Sequence, residues 1–245
     1  MILITSGCSF TETIHEQTWP LHLQEALNCK LVSTARGSQG NGIIARKAMY
    51  HVHQLLKKHS ANEILVGIMW SGFDRAEIYL PRSADLQIDS IEKKGMQENP
   101  VTFPDNDTIG KWALLNAHWR FPLARMYYKH VHSSTYGQIV ALDNIVKVQN
   151  YLKLHNIKYF MSTYTKQTLL FDFKNENIQW LWEQVDRTMF LPVEGCFEWA
   201  NTNMPNDFPI PNTNHPSKKQ HREFTKQVIL PFLEEKYNIK KRFDI

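Results

Sequence analysis

Two short motifs hold the residues best suited to chemistry: Gly7-Cys8-Ser9-Phe10, just past the apolar residues 2–5, and Asn214-His215-Pro216-Ser217, close to the other end of the chain. A hydroxyl is a weak nucleophile until a base takes its proton, and an imidazole is the side chain that does so near neutrality. A serine in a tight turn after a strand, with a histidine in a loop before the last helical segment, therefore reads as a nucleophile and its general base. Alone, Ser9 reads equally as a turn residue, and His-Pro-Ser before a helix as ordinary capping chemistry. Together they predict a hydrolase.

The elements that must position them follow from the apolar pattern. Residues 2–5 and 30–33 read as short strands. Residues 63–70, Glu-Ile-Leu-Val-Gly-Ile-Met-Trp, read as a strand covered on both sheet faces, because their apolar run is continuous. Between these strands, Trp19, Leu23, Ala26 and Leu27 repeat at helical spacing, as do Ile44, Ala48, His51 and Leu55 within 43–59. Strand, helix, strand, helix, strand predicts a parallel sheet with right-handed crossovers. Residues 138–155 predict a helix, 158–162 a fourth strand, 177–186 a helix and 221–237 a closing helix. Residues 76–108 are polar and break the rhythm; an aromatic helical stretch with Trp112, Trp119, Phe121, Tyr127 and Tyr128 follows. The expected architecture is one α/β domain over 1–245, a three-layer α/β/α sandwich on a parallel sheet of about five strands. An insertion at about 76–135 would roof the site.

Ligands of open parallel sheets bind outside the carboxyl ends of the strands. Ser9, the loop Gly37-Ser38-Gln39-Gly40-Asn41-Gly42 and Trp70-Ser71-Gly72-Phe73-Asp74-Arg75 all fall at that edge. In content and order these segments resemble the blocks of the SGNH (GDSL-like) hydrolase superfamily, a flavodoxin-like three-layer fold. Gly7-Cys8-Ser9-Phe10-Thr11 resembles its Gly-Asp-Ser-Leu/Phe block, and Asn212-Thr213-Asn214-His215-Pro216, with His221 following, its Asp-x-x-His-Pro block. Gly37 to Asn41 resembles its glycine–asparagine block, and Asn41-x-x-Ile44-x-Arg46 a variant found in phage-like members. The resemblance implies Ser9 as nucleophile and His215 as general base. It implies an oxyanion hole from the Ser9 N–H, a glycine N–H at Gly37 or Gly40, and the Asn41 side chain. Gly37, Trp70, Ser71 and Arg75 would contact substrate, with Arg75 and Arg46 as candidates for an anionic group. His221 reads as structural.

The chain departs from that pattern in three places. Asn212 stands where the triad acid belongs; an asparagine can orient a histidine but cannot stabilise imidazolium by charge, so Asp207 is a candidate replacement. The block Gly-x-Asn-Asp is absent, Trp70 to Arg75 standing in its place, and Cys8 replaces the aspartate beside the serine. The expected function is hydrolysis of an O-acyl ester, of a carbohydrate or another small molecule, with no cofactor and no metal. A catalytically impaired glycan-binding or structural module, and an O-acyltransferase, are the alternatives.

Bulk properties narrow the classes further. With 245 residues, 42% hydrophobic content and a formal net charge of +4, nothing calls for a nucleic-acid partner. Three widely spaced cysteines imply no disulfide framework. No stretch approaches the ~20 apolar residues of a membrane helix and no signal peptide is seen, so a cytoplasmic protein acting on a small-molecule or glycan ester, away from membranes, is expected. The pairs His51/His53 and His130/His132 point to opposite helix faces and make poor chelators. Oligomeric state is not readable from the sequence.

Overall fold

The computed structural model describes residues 1–14, 17–81, 110–116, 122–208 and 215–245. Its centre is a four-stranded parallel sheet of β1 (Ile2–Ser6), β2 (Lys30–Ser33), β3 (Ile64–Trp70) and β6 (Lys158–Thr163), in the order β2-β1-β3-β6. The expected α/β class and parallel sheet are observed, with four strands where about five were expected. The two further strands, β4 (Arg75–Pro81) and β5 (Gly110–Asn116), form a separate antiparallel pair. Trp112 thus lies in a strand rather than in the aromatic helix expected there, while Tyr127 and Tyr128 do lie on a helix, α3 (Pro122–His130). Trp119 and Phe121 lie outside the described residues.

Strand alternation divides the core into two layers. Ile64, Val66, Ile68 and Trp70 share one face with Ile4, Tyr159 and Met161. They pack on α2 (Asn41–Leu56), α4 (Ser134–Leu154) and α5 (Glu176–Glu183), which contribute Ile44, Ala48, Leu142, Ile145 and Leu181. Leu3, Leu65, Met69 and Phe160 face the opposite way, onto α1 (Trp19–Leu27) and the C-terminal helix. Both faces of β3 are covered, which is why its sequence carries no polar alternation.

Local signals set the helix ends. Pro20 occupies the first turn of α1, and Asn28 ends it in the left-handed conformation at φ 46°, its N–H reaching the Gln24 and Glu25 carbonyls. After α6 (Cys196–Asn203), the segment read as one closing helix runs from α7 (Lys218–Phe224) through a π turn, Thr225–Ile229, into α8 (Leu230–Tyr237). Pro231 follows that turn and has no N–H for the carbonyl four residues back, so the ladder widens ahead of it.

Gly67 sits at the middle of β3, where Trp19 and Phe160 meet edge-to-face with ring centroids 5.6 Å apart. A Cβ there would lie 2.6 Å from Phe160 Cζ and 2.8 Å from Trp19 Cη2, closer than any side chain tolerates. Gly67→Ala should therefore cost about 1–3 kcal/mol by overpacking, read from urea unfolding midpoints. A change below about 0.5 kcal/mol would show that the two rings do not depend on that gap.

Candidate active site

The turn after β1 is tight: the Cys8 carbonyl accepts from the Thr11 and Glu12 N–H groups at 2.9 and 3.1 Å. Below it, the buried Gln39 amide donates to the Gly7 carbonyl at 2.7 Å, tying this turn to the glycine loop. A second tie is the Gly37 N–H, which donates to Glu12 Oε2 at 2.9 Å. Ser38, between them, adopts φ 64°, unusual for a serine, in the turn that delivers Gln39 inward. Ser9 is thereby held at the carboxyl end of a strand hydrogen-bonded along both edges.

His215 approaches from the far end of the sequence. The residues after it form a capping box at the start of α7: Ser217 Oγ accepts from the Gln220 N–H at 3.1 Å, and Gln220 Oε1 accepts from the Ser217 N–H at 2.7 Å. The same Gln220 side chain donates to the Met204 carbonyl at 2.8 Å, fixing the helix start against the preceding segment. The result brings Ser9 Oγ to 2.8 Å from His215 Nε2, across 206 positions of sequence. The imidazole stacks obliquely on Phe10, with centroids 4.8 Å apart. Behind it lies His221, wholly buried, its Nδ1 3.9 Å from Cys196 Sγ. Burial above all, then the neighbouring His22 and His215, pushes the His221 pKa down to about 3, so it remains neutral beside His215.

The other sequence candidates fall out differently. Asn41 is no free donor at the mouth of the site. Its side chain accepts from the Ser71 N–H at 2.8 Å and donates to the Ser71 carbonyl at 3.0 Å, clamping the loop after β3 to the start of α2. Gly37, offered for the oxyanion hole, has its N–H committed to Glu12. Trp70 and Ser71, expected to touch substrate, are fully buried, Trp70 within the core and Ser71 with an unpartnered Oγ. Asp207, the candidate replacement acid, pairs with Lys219 at 3.1 Å. Asn212 lies outside the described residues. Gly40 caps the N-terminus of α2, and Arg75 opens β4 at the sheet edge.

Sequence reading missed Glu12, Gln39, Tyr164 and Glu77. Glu12 also balances Lys47, a buried lysine whose ammonium donates to the Thr34 carbonyl at 3.2 Å. Burial, with Arg36 adding to it, brings the Lys47 pKa down to about 8. Glu77 comes in from β4 to the start of α2, where Gly40 and Gly42 leave it room: a Cβ on Gly42 would overlap its carboxylate. Arg46 Nη2 lies 3.4 Å from Glu77 Oε1, and the Ile43 backbone N–H bonds to the carboxylate. A carboxylate at a helix N-terminus is favourable. Burial nevertheless outweighs both partners and raises the Glu77 pKa to about 7. Beside it a cavity of about 80 Å³ is lined by Asn41, Arg75, Glu77, Tyr127, His132 and Tyr136 among others. Among the described residues no three His, Cys, Asp or Glu side chains gather as a metal site, and no helix is long and apolar enough to cross a membrane.

No family model matches the chain, and no curated protein matches it. Among solved structures it is similar to the crystal structure of the lipase Lip_vut3 from goat rumen metagenome. That likeness runs at 12% identity and a TM-score of 0.42 over 92% of this chain and 94% of that one.

The raised Glu77 pKa has a thermodynamic sign. Between the ordinary value near 4.5 and about 7 the folded protein binds more protons than the unfolded chain, so this group's contribution to stability falls as pH rises through that window. Glu77→Gln removes the effect. The stability difference between pH 8 and pH 5 should be more favourable in the variant than in the wild type by roughly 1–3 kcal/mol, measured by urea denaturation. Parallel pH profiles for the two proteins would contradict the assignment.

Proposed function

We propose that this chain is a serine esterase of the SGNH type, hydrolysing an O-acyl ester of a carbohydrate or another small molecule. The observation that carries the reading is the 2.8 Å approach of Ser9 Oγ to His215 Nε2 at the carboxyl edge of a parallel sheet. With His215 neutral, its Nε2 lone pair accepts the Ser9 proton as Oγ attacks the ester carbonyl. The oxyanion of the tetrahedral intermediate meets the backbone N–H groups of Ser9 and Gly40. His215 then returns its proton to the departing alkoxide, leaving Ser9 acylated. Water, activated by the same imidazole, releases the acid and restores the hydroxyl. His221 supports the cycle by staying uncharged when His215 becomes imidazolium, since a second positive charge behind it would oppose the proton transfer.

The test is turnover of 4-nitrophenyl acetate by the wild type, Ser9→Ala and His215→Ala. Because nucleophile and base act as a unit, each variant should lose about 10³-fold or more in kcat/KM, with an unchanged circular dichroism spectrum. Turnover that survives Ser9→Ala would overturn the mechanism.

A further inference from the structure

Arg75 stands at the same sheet edge as Ser9 and, among the described residues, forms no ion pair. Its guanidinium carbon lies 5.1 Å from the centroid of the Tyr164 ring. Tyr164 meets Phe10 edge-on at 5.3 Å, and Phe10 in turn lies 4.8 Å from the His215 ring. The guanidinium also faces Cys8, the residue immediately before Ser9. A chain of three ring contacts thus joins the cation to the general base, and its thiol neighbour directly precedes the nucleophile in sequence.

The Arg75 donors are met only in part, by the Cys8 thiol. Nε and Nη1 of Arg75 are both shut away from solvent and hydrogen-bond to nothing among the described residues. Asp74 turns its carboxylate against Gly72, and among the described residues no ion pair forms to Arg75; Glu77, further along β4, is taken by Arg46. Burial pulls the Arg75 pKa down, but Cys8, Tyr164 and Asp74 together carry it above the ordinary arginine value, so the group stays a cation. A cation stripped of water and left with a ring and a thiol is costly unless an anion completes it. Guanidinium is also the side chain best matched to carboxylate and phosphate oxygens.

We infer that Arg75 receives an oxyanion group, carboxylate or phosphate, carried by the ester, so that the substrates of Ser9 and His215 are anionic esters. This rests on the serine-esterase reading. Tyr164 then acts as the platform that holds the guanidinium plane for the ligand.

The experiment compares mono(4-nitrophenyl) succinate with the neutral 4-nitrophenyl butyrate, which has the same leaving group and chain length. The wild type should favour the anionic ester by about tenfold or more in kcat/KM, the scale of one charge-assisted hydrogen bond. That ratio should fall to about one in Arg75→Met and lie between in Arg75→Lys. Competition by monomethyl succinate against inorganic phosphate tells a carboxylate site from a phosphate site. A wild-type ratio of one or less, or a preference that survives Arg75→Met, overturns the inference. If Arg75→Met does not fold, the wild-type ratio and Arg75→Lys decide. If neither ester is turned over, the esterase reading has failed, and calorimetry judges the anion site by itself. Monomethyl succinate binding to the wild type, with dimethyl succinate not binding, would uphold the site; equal or absent binding of the two would reject it.

Discussion

Everything at this site depends on β1 being paired along both edges. Ile2 to Thr5 are matched in register to Lys30 to Ser33 on one side and to residues 64–67 on the other. A strand held twice cannot slide or rotate without breaking two ladders, so the turn that follows it starts from a fixed point. That turn is then pinned twice more, by Gln39 to the Gly7 carbonyl and by Glu12 to the Gly37 N–H. The precision needed to hold a hydroxyl at hydrogen-bond distance from an imidazole 206 positions away comes from this sequence of constraints. On the histidine side, the capping box of α7 and the Gln220 anchor fix the helix start that follows His215.

The electrostatics around the pair are costly, and the cost is distributed. Lys47, Glu77, Arg75 and His221 are all largely withdrawn from water, and burial is the leading perturbation of each. Three of them are relieved internally: Lys47 by the Thr34 carbonyl and Glu12, Glu77 by Arg46 and the end of α2, and His221 by remaining neutral. Among the described residues Arg75 is relieved by an aromatic face, the Cys8 thiol and its neighbours' fields. Buried groups that a fold satisfies are architecture; one whose donors it leaves partly unmet beside Ser9 points outward, to what binds there.

Much of the architecture was legible because it rests on local signals. The unbroken apolar run of β3, the helical spacing of Trp19, Leu23, Ala26 and Leu27, and the histidine before a helix start each carry their own explanation. The misplaced residues failed for reasons of distance or parity. Trp70 looked like an edge residue because it ends the strand, yet it shares the parity of Ile64, Val66 and Ile68 and so belongs to the core behind α2 and α4. Gly40, read as a backbone donor for an oxyanion, has a second role that sequence hides: with Gly42 it clears space for Glu77, which arrives from β4 and leaves no mark on the loop's own sequence. Asn41 read as a free amide because nothing in sequence says that its partner is the backbone of Ser71. The antiparallel pair of β4 and β5 was hidden by the long polar stretch between them.

The central claim is that Ser9 is a nucleophile activated by His215, and covalent capture tests it most directly. A fluorophosphonate reacts with a serine only where a base has raised its reactivity, so intact mass followed by peptide mapping locates the nucleophile without knowledge of the natural ester. The account predicts one adduct, on Ser9, formed at least about a hundredfold more slowly in His215→Ala. An adduct on another residue, or labelling of Ser9 at the same rate without His215, would contradict it.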